Sequence, residues 1–123
     1  MARKISAAAK VVNNTTKQTL YTVPTKNTGL WSLMYLIVTA GNETPEVYWY
    51  DYSASVTAGS DVEYYILGGK NIGPGEYVML NQAEVALQEG DEIRVKNHVN
   101  PSTVTYIATV ELVPNMATQF HGG

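Results

Sequence analysis

Groups capable of chemistry are few in this chain. Its 123 residues include two histidines, eleven carboxylates, eight Lys or Arg side chains and no cysteine. The absence of cysteine excludes disulfides, thiolate nucleophiles and zinc sites built on thiolates, and it leaves the redox compartment unreadable. His98 and His121 fall in an expected loop and tail, without a nucleophile or carboxylate at a recognisable spacing, and read as surface histidines. Acid-base catalysis or a hard metal ion needs carboxylates that converge in a cleft. Asp51, Asp61, Glu63, Glu89, Asp91 and Glu92 are the candidates. Most of them sit in turns, where solvation and local hydrogen bonding account for Asp and Glu. The glycine-rich stretch from Gly68 to Gly75 lacks the Gly-Lys-Ser/Thr ending and the following helix that a phosphate loop requires, so it reads as a hairpin connection or exposed loop. The chemistry points to no enzyme, no cofactor and no metal, and therefore to a function in binding.

The richest signal is aromatic. Of nine tyrosines and two tryptophans, six lie between Tyr48 and Tyr65. In Glu46–Tyr52 the alternation of a strand sets Val47, Trp49 and Asp51 on one face and Tyr48, Tyr50 and Tyr52 on the other. Trp31, Trp49, Tyr64 and Tyr106 are candidates for the core. An outward ladder of Tyr48, Tyr50 and Tyr52 suits a surface that meets another protein, where tyrosine is enriched, and would also serve as a stacking platform for carbohydrate.

A second candidate surface is the leading segment. Arg3, Lys4, Lys10, Lys17 and Lys26 precede any acid, whereas every carboxylate follows from Glu43 onward, so the first 42 residues carry +5 and the remainder −8. Residues 1–16 read as an arm, with an Ala-rich start that suits a turn or two of helix before the polar Asn13-Asn14-Thr15-Thr16. Arms of this kind are ordered when a partner holds them. Arg3, Lys4, Ile5, Lys10, Val11 and Val12 are its candidate contacts. No aromatic residue is interleaved with these charges before Tyr21, which argues against nucleic acid.

The elements that would position these residues are strands. Gln18–Val23, Leu30–Thr39, Glu46–Tyr52, Asp61–Leu67, Tyr77–Leu80, Ala83–Leu87, Glu92–Lys96 and Thr103–Val113 are rich in β-branched and aromatic residues and are separated by turns. Ser53–Ser60 is small and polar and reads as a loop. Leu30–Thr39 is apolar at almost every position, so it should be covered on one side by an opposing sheet and on the other by an arm, a loop or another subunit. In the last strand Val104, Tyr106, Ala108, Val110 and Leu112 share a face. The expected fold is all-β, a sandwich of about eight short antiparallel strands spanning 17–114, with jelly-roll wiring as one arrangement, an N-terminal arm at 1–16 and a C-terminal tail at 115–123.

Composition agrees. With 45% hydrophobic and 15% charged residues the chain is globular, and its length suits one core that buries roughly two-thirds of the unfolded surface. The basic start is interrupted by Lys10 and Asn13-Asn14 before a signal-peptide apolar region is reached. Leu30–Ala40 falls short of the roughly 20 residues that cross a bilayer, so no membrane partner is expected. Glycosylation patterns at Asn13, Asn14 and Asn42 carry no weight without a secretion signal.

Several motifs recur in order: Leu20-Tyr21-Thr22-Val23-Pro24, an apolar strand, Tyr65-Ile66-Leu67, Ile72-Gly73-Pro74-Gly75-Glu76, and Leu87-Gln88-Glu89-Gly90-Asp91-Glu92-Ile93-Arg94-Val95. This order resembles that of small β-sandwich virion structural proteins of tailed bacteriophages, most like head decoration (capsid cement) proteins. The likeness spans residues 20 to about 112 and departs from the usual Ile-Pro-Ala-Gly turn at Gly73-Pro74. It implies a protein made in the host cytoplasm and carried on the outer head surface, where it binds the major capsid protein and stabilises the shell. It also implies copies at two-fold or three-fold positions or single copies, and the cover that the apolar second strand and the tyrosine face need favours a homotrimer, with a dimer or monomer as alternatives. A tail- or fibre-associated module that binds host-surface carbohydrate is the competing function.

Overall fold

The computed structural model describes residues 4–80, 85–99 and 101–115. It contains nine strands and one helix: β1 (Lys4–Val12), β2 (Gln18–Thr22), β3 (Asn27–Ala40), β4 (Glu46–Tyr50), α1 (Tyr52–Ala58), β5 (Glu63–Leu67), β6 (Tyr77–Leu80), β7 (Val85–Leu87), β8 (Glu92–Lys96) and β9 (Thr103–Pro114). Two antiparallel sheets face each other. One has the order β1-β9-β3-β6, with β7 also on β3, and the other runs β2-β8-β4-β5. Because β6 and β7 pair with successive parts of β3, they share one position in the sheet. Counting that position once leaves eight strand positions that alternate between the sheets, except that β4 and β5 pair within one sheet, in the jelly-roll manner.

The core forms where the two inner faces meet. Strand alternation sends Val104, Tyr106, Ala108 and Val110 of β9 inward, together with Trp31, Met34, Leu36 and Val38 of β3, and opposite them Val47 of β4 and Ile93 and Val95 of β8. The inward row expected for the last strand is found, with Leu112 at its half-buried end. A bulge between Trp31 and Leu33 restores the inward face of β3 after Trp31. Gly29 is tightly hemmed in: a Cβ there would stand 3.0 Å from Val110 Cγ1 and 3.1 Å from Val23 Cγ2.

Three expectations are corrected. Residues 4–12 are neither helix nor loose arm; they form β1, paired with β9 without a break from Lys4↔Leu112 to Val12↔Val104. Valine pairs and small alanines fit a pleated edge, and long-range pairing overrides the local helix preference of alanine. Within that strand Val12 is 1% exposed and belongs to the core. Ser53–Ser60 includes a helix, because Asp51 caps Ala54 N–H at its start and Gly59 in the left-handed region closes it. Tyr64, expected inside, is exposed and stacks on Trp49 at the sheet margin, with ring centroids 5.0 Å apart. Arg3 and the tail beyond Asn115 lie outside the described residues.

Candidate docking face

The outer faces of the two sheets have opposite chemistry. On the four-stranded sheet, Tyr48 and Tyr50 leave the core as strand alternation requires, yet they are not open: they are 5% and 8% exposed. The Lys17 ammonium lies 4.2 Å from the centre of the Tyr48 ring, and the Arg94 guanidinium 3.7 Å from that of Tyr50. Tyr65 closes the side of Tyr48 at 4.8 Å between ring centroids. Arg94 also donates to Asp61, Glu63 and Glu92 at 2.7–2.8 Å, and Lys17 donates to Glu63 at 2.6 Å. Burial alone would raise the Glu63 pKa, but bonds and charge from Lys17 and Arg94 outweigh it and hold the carboxyl below its usual range. The same carboxylates keep the Arg94 guanidinium firmly protonated.

The ladder expected to greet a partner is thus occupied by the protein's own cations. Tyr52 leaves the ladder altogether, because the strand ends at Tyr50 and Tyr52 opens α1, exposed on its surface. A basic residue in the first twenty and an alternating charged strand were both visible in the sequence. That Lys17 and Arg94 converge on the tyrosines follows from β2-β8-β4 adjacency, which no local pattern reveals.

Five of the six carboxylates considered for catalysis, Asp51, Asp61, Glu63, Asp91 and Glu92, have structural partners. Asp61, Glu63 and Glu92 meet at Arg94, and Asp51 caps the helix. Asp91 is 1% exposed and accepts from Trp49 Nε1, Tyr52 N and Gln88 N at 2.9–3.0 Å, tying the β7–β8 turn to the start of α1. Sequence reading missed Glu43, a residue in an ordinary-looking turn that is also 1% exposed. It accepts from the backbone N–H groups of Thr44, His98 and Val99 and from Ser102 Oγ. Burial pushes its pKa up, and these bonds, Ser102 first, more than reverse that and leave it lowered. Among the described residues no group of three or more His, Asp or Glu side chains could hold a metal ion.

The outer face of the five-stranded sheet is different. Register sets Ala9, Ile107, Tyr35 and Met79 in one row across β1, β9, β3 and β6, and Val11, Thr105, Ile37 and Tyr77 in the next. Ala7, Thr109 and Leu33 form a third row, and Ile5, Glu111, Leu30 and Ala86 a fourth. Ile5, Val11, Tyr77 and Met79 are 72%, 63%, 60% and 49% exposed, and Leu30, Leu33, Tyr35, Ile37 and Ile107 are half-buried. Tyr35 and Tyr77 stack at 5.6 Å. Of these fifteen positions only Glu111 carries charge at neutral pH. This is the second face of the apolar strand β3, whose expected cover is absent among the described elements.

Of the arm residues expected to touch a partner, the structure brings Ile5 and Val11 onto this face. Lys10 points the other way, its Nζ donating to Thr19 O at 3.3 Å, and Lys4 is placed only as the first residue of β1. The face joins four strand positions from widely separated segments, which is why reading one strand at a time did not find it. In comparisons with known proteins, no family model matches the chain and no curated protein matches it significantly.

Proposed function

We propose that this chain is a phage head decoration protein, which binds the major capsid protein through the outer face of its five-stranded sheet and stabilises the shell. The observation that carries the reading is the contrast between the two outer faces: one is laced with ion pairs over buried tyrosines, and the other presents contiguous apolar rows. Contiguous apolar surface on a small domain marks an interaction site. A flat, nearly uncharged sheet face suits a broad protein surface better than a small molecule, which needs a concave site. The order of motifs shared with small virion proteins supplies the kind of partner.

The test is reconstitution on capsids lacking this protein, followed by co-sedimentation. The Tyr77→Ala/Met79→Ala variant should bind at least about tenfold more weakly, because it removes two of the largest exposed side chains of the face. Tyr65→Ala, on the other sheet, should leave binding unchanged. Normal binding by the first variant and lost binding by the second would overturn the assignment of the face. Glycan binding that disappears with Tyr65→Ala would replace the capsid reading with the carbohydrate one.

A further inference from the structure

The first strand has a free side. β1 is bonded to β9 along one edge, and among the described residues no strand lies along the other. Nine residues pair there without a bulge, and the segment contains no proline or glycine. The other sheet margins are blunted: β6 and β7 are four and three residues long, β5 is five, and β2 is five with a bulge after Thr19. Proteins that stay single usually protect a long flat edge with charge, proline or a bulge; this edge has no proline or bulge and no charge on its outer face, where Ile5, Ala7, Ala9 and Val11 stand, and its inward Lys10 is engaged with Thr19 O.

We infer that β1 pairs antiparallel with β1 of a second copy, about a two-fold axis through Ala8. The segment is self-complementary in that register. Ala8 faces Ala8 of the second copy, Ala7 faces its Ala9, Ile5 its Val11, and Lys10 its Ser6. Apolar residues meet apolar ones on the outer face; among the other positions Lys10 opposes a hydroxyl and Lys4 opposes Val12. Centring on Ala7 instead would set Lys4 and Lys10 opposite each other at both ends, a like-charge pairing that destabilises a ladder. Centring on Ala9 would remove the cross-strand partner of Ile5. The ladder supplies roughly eight to ten main-chain hydrogen bonds.

A two-fold axis of this kind runs perpendicular to the sheet, so both apolar outer faces point the same way. One face, four strand positions by nine residues, measures about 20 × 30 Å, or roughly 600 Å². That is short of the ~800 Å² per partner of a standard interface, and two joined faces exceed it. The pairing stands on the edge strand alone, whereas its use as a doubled docking surface rests on the function proposed above. Where the need to cover the apolar strand and the tyrosine face favoured a trimer, the register of β1 closes a pair.

The experiment is sedimentation equilibrium on the intact chain, without capsids, so its failure is separate from failure of the docking assay. The wild type should show a concentration-dependent species of twice the 13.5 kDa chain mass. Ala7→Lys/Ala9→Lys creates two like-charge pairs across the axis and should weaken association at least tenfold, with an unchanged circular dichroism spectrum. Ala7→Glu/Ala9→Lys creates two opposite pairs and should restore it. Because the chain has no cysteine, Ile5→Cys/Val11→Cys should oxidise to a covalent dimer through the 5–11 pairs. A wild type that remains at 13.5 kDa to several hundred micromolar would overturn the inference. So would association that survives the two lysines, and so would failure of the Glu/Lys pair to restore it, which is the outcome expected if copies stack face to face.

Discussion

Replacing Glu43 by glutamine changes one atom in a site where four donors converge. The carboxylate accepts from Thr44 N at 2.9 Å, His98 N at 2.6 Å, Val99 N at 2.9 Å and the Ser102 hydroxyl. In the variant the amide oxygen retains Thr44 and His98, but without charge assistance, a loss of about 1 kcal/mol for each bond. The amide nitrogen stands where the second oxygen was and confronts the Val99 N–H, which keeps only its longer 3.1 Å bond to the remaining oxygen, at a further cost of up to ~1 kcal/mol. Ser102 adapts, because its hydroxyl also lies 2.6 Å from Val99 O and can donate there while accepting from the amide. The expected loss is about 2–3 kcal/mol, or roughly 6–15 °C in Tm for a chain of this size.

Equilibrium urea unfolding of wild type and Glu43→Gln from pH 7 to pH 3 is the assay. Since the folded pKa is lowered, the carboxylate's contribution is complete above the unfolded value of about 4.3 and is lost as pH falls through the folded one. The gap between the two proteins should be constant from pH 7 to about pH 5.5 and narrow below that. A gap under about 0.5 kcal/mol at pH 7, or one that widens in acid, would refute the account of Glu43 as a charged pin between the turns at 43 and 98–102.

Two further outcomes test the ion-laced face and the α1 junction. Arg94→Met should cost about 2–4 kcal/mol in the same unfolding assay, because Glu63 and Glu92 lose their shared partner while partly buried, and Arg94→Lys should recover only part of it since one ammonium cannot replace both the fork and the stack on Tyr50. Gly90→Ala should lower stability by about 2 kcal/mol or more, because Gly90 has φ +85° and a Cβ there would lie 2.6 Å from the Tyr52 ring, and combining it with Tyr52→Ala should recover the steric part alone.

Much of the fold was legible along the chain because strand formation leaves a period of two in the residues themselves. Ile93 and Val95 between charges, and Val104 through Leu112 on one face, marked their inward sides before any partner was known, and both rows line the core. The β7–β8 turn at Gln88–Asp91 announced itself through Gly90. The helix did not, since its seven residues are mostly small or polar and bury only Ser55, and its signal lay only in Asp51 before it and Gly59 after. Local preference misled at residues 4–12, where alanines suit a helix until β9 offers a ladder along their whole length.

The composition and alternation of this sequence determined an all-β sandwich, because those patterns are carried by neighbours in the chain. Which surfaces were open was decided by strands far apart in sequence. Tyr48 and Tyr50 pointed outward as expected and were then covered by Lys17 and Arg94, while Ile107, Tyr35 and Met79, unremarkable within their own segments, joined Ile5 in one apolar face when β1, β9, β3 and β6 were laid side by side. Exposure depends on the whole set of neighbours a residue acquires, and long-range pairing chooses that set.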